Sequence, residues 1–420
     1  MSFVPGGAAI MKLIQGAEVY APEPLGRMDV LVAGGVIACL QPGIPCAGLP
    51  DLEVVDARGK LLVPGFIDGH VHILGGGGEG GYASRTPEIL LSDLTTAGVT
   101  TVVGCLGTDG TTRALAGLLA KARGLEAEGV TVFIYTGSYQ VPVRTVTGSV
   151  VDDLILIDKV IGVGEIALSD HRSSQPTFEE VARIAAEARV GGMLSGKAGV
   201  VNVHMGAGER MLGLIERVLS ETEIPAKHFI PTHINRNQAL LRAGIGYANQ
   251  DAGRGRHLDL TSSLITDDPA LSCAAALATL LRAGVSIDSI SFSSDGQGSL
   301  PLFDAGGEYS GLGVGKVSTL FLEVQRAVRA HGVPFQEAVK VITSTPAAYL
   351  GLPAKGRIRV GADADLVLLD RDLEIDAVLA MGRFMVKDHE LKCLGTFEQD
   401  LMDGLDAKRP FGFAASGRRV

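Results

Sequence analysis

The sequence predicts an α/β protein, a (β/α)8 TIM barrel with a small β-sandwich domain formed by its N- and C-terminal segments. Three observations lead there. Between about residues 61 and 350, eight β-rich apolar runs alternate with amphipathic stretches. From His72 to Asp295, 223 residues cover seven repeats, about 32 residues each, which is the size of a βα unit. Glycine supplies 56 of 420 residues, nearly double the usual ~7%, as many tight strand-to-helix turns require.

Taken in order, the chain before residue 61 reads as short strands at Met11–Ile14, Asp29–Val32 and Val36–Leu40. The run Leu61–His72 is the first barrel strand. Val99–Cys105 is the second, with a helix over 111–128, and Val130–Tyr135 is the third. Glu165–Ser169 is the fourth, ahead of a helix from Phe178 to Ala188. Val200–His204, His228–His233 and His257–Thr261 follow, and Ile290–Asp295 closes the set. Residues 356–390 return to short strands, most clearly Gly361–Leu369. Neither flank buries a core alone. Residues 1–60 and 352–395 are therefore expected to pair as one sandwich beside a barrel of residues 61–351. The tail 396–420, with Lys408, Arg409, Arg418 and Arg419, is expected to be solvated.

Composition excludes several classes of function. A net charge of -10 offers no basic footprint for nucleic acid. Cys39, Cys46, Cys105, Cys273 and Cys393 are odd in number and scattered, and read as buried free thiols in a reducing compartment. The most apolar stretch, Ala270–Leu281, includes Ser272 and Thr279 and ends at Arg282, short of the ~20 residues a membrane span needs. The N-terminus shows no basic segment followed by an apolar one. No membrane partner and a cytoplasmic location are expected.

The chemistry begins at His70 and His72. Residues two apart on a strand share a face, so both imidazoles reach one ion from one backbone segment. Their strand then enters Gly75–Gly78, with Glu79 just after. Glu165, His204, His233 and Asp295 lie at or near other strand ends, which converge on one mouth in a barrel. Together they make a binuclear metal site. Imidazole and carboxylate suit zinc, with cobalt and manganese as further choices, so the expected cofactors are two divalent metal ions, Zn2+ first among them. Two cations sharing a water lower its pKa and polarise a carbonyl, which points to hydrolysis of an amide or ester. Strand alternation turns His228 away from His233 and makes it structural. His257 opens its strand instead of ending it, and His331 and His389 read as surface residues. Arg172 and Arg236 follow metal-ligand positions, and their planar forks suit carboxylates. Glu79 is placed for an ammonium group.

The motifs Pro64-Gly-Phe-Ile-Asp-Gly-His-Val-His72, Gly75-Gly-Gly-Gly-Glu-Gly80, Gly107-Thr-Asp109 and Thr136-Gly-Ser-Tyr139 resemble those of the amidohydrolase superfamily. The glycines followed by Glu79, the string Ser169-Asp-His-Arg-Ser173 and Thr232-His-Ile-Asn-Arg236 narrow the resemblance to its isoaspartyl (β-aspartyl) dipeptidases, and Ser293-Ser-Asp-Gly-Gln-Gly-Ser299 is similar to theirs as well. The resemblance implies a metal-bridged hydroxide attacking the isopeptide carbonyl of a small dipeptide. Asp295 would ligate a metal and shuttle the proton, and Tyr139 would donate to the oxyanion. Glu79, Thr108, Arg172, Arg236 and Ser299 would contact substrate. Gly75–Gly81 would form a mobile lid, and the chain would assemble as a homo-oligomer, an octamer by family resemblance. One position departs from the pattern. Where such enzymes commonly carry a carboxylated lysine bridging both metals, this chain has Glu165, which keeps the carboxylate on a shorter stem. Rival readings are a dihydroorotase- or hydantoinase-like cyclic amidase, an N-acyl-amino-acid deacylase, and a non-catalytic binding protein on the same fold.

Overall fold

In the computed structural model, residues 11–48, 51–250, 255–263, 268–303 and 309–399 are described. Of the solvated tail expected from residue 396, residues 396–399 instead pack on the barrel, with Glu398 buried and accepting from Ser92 N at 3.1 Å, and the rest lies outside the described residues. The N-terminal flank forms β1 (Met11–Tyr20), β2 (Pro24–Ala33), β3 (Val36–Gln41), β4 (Leu52–Asp56) and β5 (Leu61–Pro64). The run read as one strand, Leu61–His72, is therefore two. It breaks at Gly65, where a Cβ would lie 2.2 Å from Thr100 Oγ1, and resumes as β6 (Phe66–Val71) in the barrel.

The barrel continues through β7 (Val99–Gly104), β8 (Thr131–Thr136), β9 (Val160–Leu168), β10 (Val200–Met205), β11 (Phe229–Thr232), β12 (Leu258–Thr261) and β13 (Ile290–Ser293). β6 to β11 form one parallel sheet in chain order, and β12 pairs with β13. Two seams close the ring. Asp295 N donates to His70 O at 3.1 Å and His72 N to Gly296 O at 2.9 Å. On the other side Thr232 Oγ1 donates to Asp259 Oδ2 at 2.7 Å, and Thr261 N to Asn235 Oδ1 at 2.8 Å. Helices cover the outside, so strands such as β7 and β9 are buried on both faces and read as continuous apolar runs. The result is a TIM-barrel-like α/β fold.

β9 starts at Val160, five residues before the expected strand, and places Glu165 inside it. Glycines hid that start, and they have a steric task. A Cβ on Gly162 would lie 2.5 Å from Val200 O, and one on Gly164 2.8 Å from Asn202 Cβ, so β9 and β10 approach closely only because both are glycine. The helix behind β9 runs Phe178–Ser195, past the expected end at Ala188. Thr177 and Glu180 cap it reciprocally, and Gly196 ends it at φ 68. Losing such a cap costs about 1 kcal/mol. Val181, Ile184, Ala185 and Ala188 turn its inner face onto the strands.

A hairpin of β14 (Ser299–Phe303) and β15 (Tyr309–Val314) follows the last barrel strand. β16 (Leu366–Leu369), β17 (Ile375–Ala380), β18 (Arg383–Lys387) and β19 (Glu390–Leu391) end the described chain. The flanks meet as expected, but in one hydrogen-bonded sheet where two facing sheets were expected. Its order is β19-β18-β17-β16-β5-β1-β2-β3, with β4 also on β1. The antiparallel β5–β16 ladder joins the two ends of the chain. The sheet curls until Ile37 N donates to Ala362 O at 2.9 Å, enclosing Ile14, Val30, Leu62, Leu366 and Leu368. Their neighbours Val63, Val367 and Leu369 point the other way, into the barrel's core. Period-two alternation thus lets one short strand serve two cores.

Of the cysteines, Cys105, Cys273 and Cys393 are buried as read, whereas Cys46 is exposed and Cys39 half-buried. No helix among the described residues is long and apolar enough to cross a membrane.

Candidate metal centre and substrate cavity

The barrel mouth gathers all twelve expected site residues. Ten line one cavity of about 720 Å³, and the other two, His70 and Glu165, lie beneath it. At the centre is the Glu165 carboxylate, 1% exposed. Its Oε2 faces His70 Nε2 at 3.4 Å and His72 Nε2 at 3.8 Å. Its Oε1 faces His204 Nδ1 at 2.6 Å and His233 Nε2 at 3.2 Å. Asp295 Oδ1 adds to the first group, 3.0 Å from His72 Nε2 and 3.7 Å from His70 Nε2. One carboxylate therefore divides its two oxygens between two pairs of histidines.

These atoms fit divalent cations. His70 Nε2, Glu165 Oε2 and Asp295 Oδ1 are buried and lack a hydrogen-bond partner, although they converge on one point. A tetrahedral ion with bonds of about 2.0–2.2 Å holds neighbouring ligand atoms about 3.4 Å apart, close to the spacing around that point. Two groups among the described residues have metal-ligand spacing: His70, His72, Cys105 and Glu165, and Glu165, His204 and His233. Glu165 belongs to both. His233 and Asp295 are held in the left-handed region, at φ 61 and 53, conformations that persist only where the surroundings enforce them.

Electrostatics support the same reading. Burial pushes the Glu165 carboxyl up, but the imidazoles of His70 and His204 hold it well below the usual range. Asp295 is treated alike: burial opposes, the His72 imidazole 3.0 Å away prevails, and its pKa falls to about 2. Burial and the charge of His204 lower His233 to about 3, leaving a neutral imidazole with a free lone pair. His70 and His72 go the other way. Burial lowers them, but Cys105 with Glu165 raises His70, and Cys105 with Asp295 raises His72, well above the ordinary value.

Around this cluster stands a polar ring. Glu79 accepts from Thr108 Oγ1 at 2.8 Å and Ser299 Oγ at 3.2 Å, and pairs with Arg172 Nη1 at 3.3 Å. Burial raises Glu79, but its hydrogen bonds and Arg172 outweigh that and keep it ionised. Arg236 donates from Nε to Met205 O at 2.8 Å, with its fork over His204. Tyr139 places its hydroxyl 2.8 Å from His204 Nδ1, and burial together with Glu165 holds it protonated, as a donor. Arg172 meets a neighbouring carboxylate with its planar fork. It is taken bidentately by Asp170, Nε to Oδ1 at 3.0 Å and Nη2 to Oδ2 at 2.9 Å.

The mobile lid expected at Gly75–Gly81 is a pinned loop in the structure. Gly75 and Gly77 have φ 79 and 74, and a Cβ on either would lie 2.4 Å from a backbone oxygen, of Thr86 or Ser84. Gly76 N donates to Gln297 O at 3.0 Å, and Arg113 binds the carbonyls of Leu74, Gly76 and Thr86. The glycines serve close packing and tight turns that aim Glu79 inward.

Outside the cluster, His228 bonds Gly199 O and Arg189, and His257 packs half-buried against Tyr349, where desolvation lowers its pKa to about 4. Residues with no assigned role in the sequence reading hold the ligands in place. Asn202 Oδ1 lies 3.1 Å from His70 Nδ1, and Thr261 Oγ1 2.6 Å from His233 Nδ1. Cys105 Sγ lies 3.8 Å from His72 Nδ1, and Asp170 Oδ2 3.0 Å from His204 Nε2. Only Asp170 carried a signal, as part of the Ser169–Ser173 string.

Residues 61–387 match the amidohydrolase family. A β-aspartyl dipeptidase of Fervidobacterium islandicum AW-1, solved with a β-Asp-Leu dipeptide, is 47% identical, with 93% of this chain and 100% of that one covered and a TM-score of 0.86. The resemblance seen in the motifs thus extends over nearly the whole chain. An adenine deaminase of Deinococcus radiodurans is 46% identical over 63 residues, and a dihydroorotase of Staphylococcus aureus 40% identical over 70. Those stretches are 14% and 16% of this chain and span only 11% and 16% of the two enzymes. With its fold, its histidine–carboxylate mouth and the span of the match together, this chain belongs to the amidohydrolase family.

Proposed function

We infer that the chain is a metallo-dipeptidase that hydrolyses β-aspartyl (isoaspartyl) dipeptides. The observation that carries this reading is the charge of the cavity. Beside the histidine–carboxylate cluster stand two ionised acids, Glu79 and Asp170, and two guanidinium groups, Arg172 and Arg236, with Asp170 occupying one edge of Arg172. A β-aspartyl dipeptide has one free ammonium, which Glu79 can pair, and two free carboxylates, which suit Arg236 and the donors of Arg172 that Asp170 leaves open. The 47% identity to a dipeptidase solved with β-Asp-Leu supports the same substrate.

His70, His72 and Asp295 would hold one divalent ion and His204 and His233 a second, with Glu165 shared. Zinc suits these donors best. Such ions supply a water acidified toward neutrality and a polarised carbonyl. The chain's own groups do the rest. Glu79, steadied by Thr108 and Ser299, receives the substrate ammonium. Arg236 and the remaining donors of Arg172 take the carboxylates. Tyr139 donates to the oxygen of the scissile carbonyl as charge develops there, a contribution of about 3–4 kcal/mol. Asp295 accepts a proton from the attacking water and returns it to the leaving amine.

In this reading residues 61–351 are the catalytic barrel, and residues 1–60 with 352–395 a smaller supporting unit. The resemblance favours a homo-oligomer in the cytoplasm. Hydrolysis of β-Asp-Leu and α-Asp-Leu by zinc-loaded protein, followed as released leucine, tests the activity. Cleavage of the β-linked peptide alone is expected. Failure to cleave it would remove the assignment.

A further inference from the structure

Asp170 has no task in the reaction just described, yet it is built into the site with care. Its side chain is 4% exposed. Gly206, after β10, leaves room for it: a Cβ there would lie 2.5 Å from both Asp170 Cα and Cβ. One oxygen, Oδ1, accepts from the Arg172 backbone N at 2.8 Å and its Nε at 3.0 Å. The other, Oδ2, accepts from Arg172 Nη2 at 2.9 Å and lies 3.0 Å from His204 Nε2.

His204 is turned differently from the other three histidines. His70, His72 and His233 present Nε2 to Glu165, whereas His204 presents Nδ1. A neutral imidazole ligates through one nitrogen and carries its proton on the other, and the partner of that other nitrogen decides which is which. With Nδ1 turned to the ion shared with Glu165, the proton of a neutral His204 falls on Nε2. Arg172 and Arg236 also reach it, at 3.2 and 3.4 Å, but guanidinium groups only donate and cannot take its proton. The Asp170 carboxylate can.

We propose that Asp170 is a positioning residue that joins the metal side of the site to the substrate side. It holds the proton on His204 Nε2, which frees Nδ1 for the ion shared with Glu165. Through the same carboxylate it clamps Arg172, leaving Nη1 aimed at Glu79 and the cavity. This rests on His204 being a metal ligand, as read above.

Zinc affinity, measured by competition with a chromophoric chelator, tests it alongside KM for β-Asp-Leu. Asp170→Asn is expected to weaken zinc binding roughly 10–100-fold and to raise KM. Arg172→Met removes the guanidinium but keeps the Asp170–His204 contact, so it is expected to raise KM at unchanged zinc affinity. Wild-type zinc affinity in folded Asp170→Asn would overturn the proposal, because a merely structural role lowers the folded fraction and nothing else. Equal loss of zinc in Arg172→Met would overturn it too. Asp170→Ser replaces the first variant if that one does not accumulate, with the same results decisive. Zinc affinity is read without substrate, so this outcome is independent of whether wild type cleaves β-Asp-Leu.

Discussion

Two pairs of carboxylates share the barrel interior, and their pKa values are shifted in opposite directions. Asp68 lies two residues before His70 in β6, and Asp259 in β12 accepts from Thr232, Ser291 and Ser293. Both are fully buried, and burial raises both, Asp68 to about 7. Glu165 is as deeply buried and Asp295 nearly so, yet converging imidazoles hold these two below their ordinary range. Burial alone drives a carboxylate toward the neutral acid, and only nearby positive charge keeps it ionised. The lower pair, Asp68 and Asp259, is met by backbone N–H and hydroxyl donors, and the upper pair, Glu165 and Asp295, by imidazoles. That difference marks where the chain performs chemistry and where it only fills space.

Four substitutions would break or sharpen the contrast. The largest effect is expected at Asp295. Asp295→Ala should lower kcat on β-Asp-Leu by roughly 10²–10⁴-fold, and substantial residual turnover would refute its part in proton transfer. Next is Glu165→Ala, which should strip metal from both sides of the site. Elemental analysis finding two ions per chain in that variant would sink the bridging role. Arg236→Ala touches neither carboxylate pair. Losing a charged hydrogen bond of about 1.5–3 kcal/mol, it should lower kcat/KM roughly 10–100-fold and leave metal content alone. Unchanged kcat/KM would count against carboxylate recognition.

The smallest effect belongs to the lower pair. Asp259 has a pKa raised above 3.8, so the folded chain holds its proton more tightly than the unfolded chain does. Its contribution to stability is complete below about 3.8 and is lost as pH rises through the folded value. Asp259→Asn removes that titration. Thermal melts of the metal-free proteins should show the variant gaining on wild type as pH rises from 4 toward neutrality, with β-Asp-Leu turnover little changed. A gap that does not vary with pH would contradict this account of the lower pair.

Much of this was legible in the sequence, and for a physical reason. Chain order sets strand order in a parallel barrel, so residues at successive strand ends must meet: His70, His72, Glu165, His204, His233 and Asp295 do. The rest depends on contacts that no periodicity records. Gly65 splits an apolar run because Thr100 lies against it, which a single strand's pattern does not reveal. The flanks were readable as strands, but their pairing into one sheet rests on β5 meeting β16, about 300 residues apart. The pinned glycine loop depends on Arg113, and the taken fork of Arg172 on Asp170, both neighbours in space through side chains. Cys105 looked like an ordinary core thiol until His72 was placed beside it.

In this reading Glu165 shares two cations between two pairs of histidines. Anomalous diffraction from a zinc-loaded crystal tests it most directly. Two zinc peaks are predicted, one against His70, His72 and Asp295 and one against His204 and His233, with a Glu165 oxygen on each. A single peak, or two peaks with Glu165 touching only one, would contradict it.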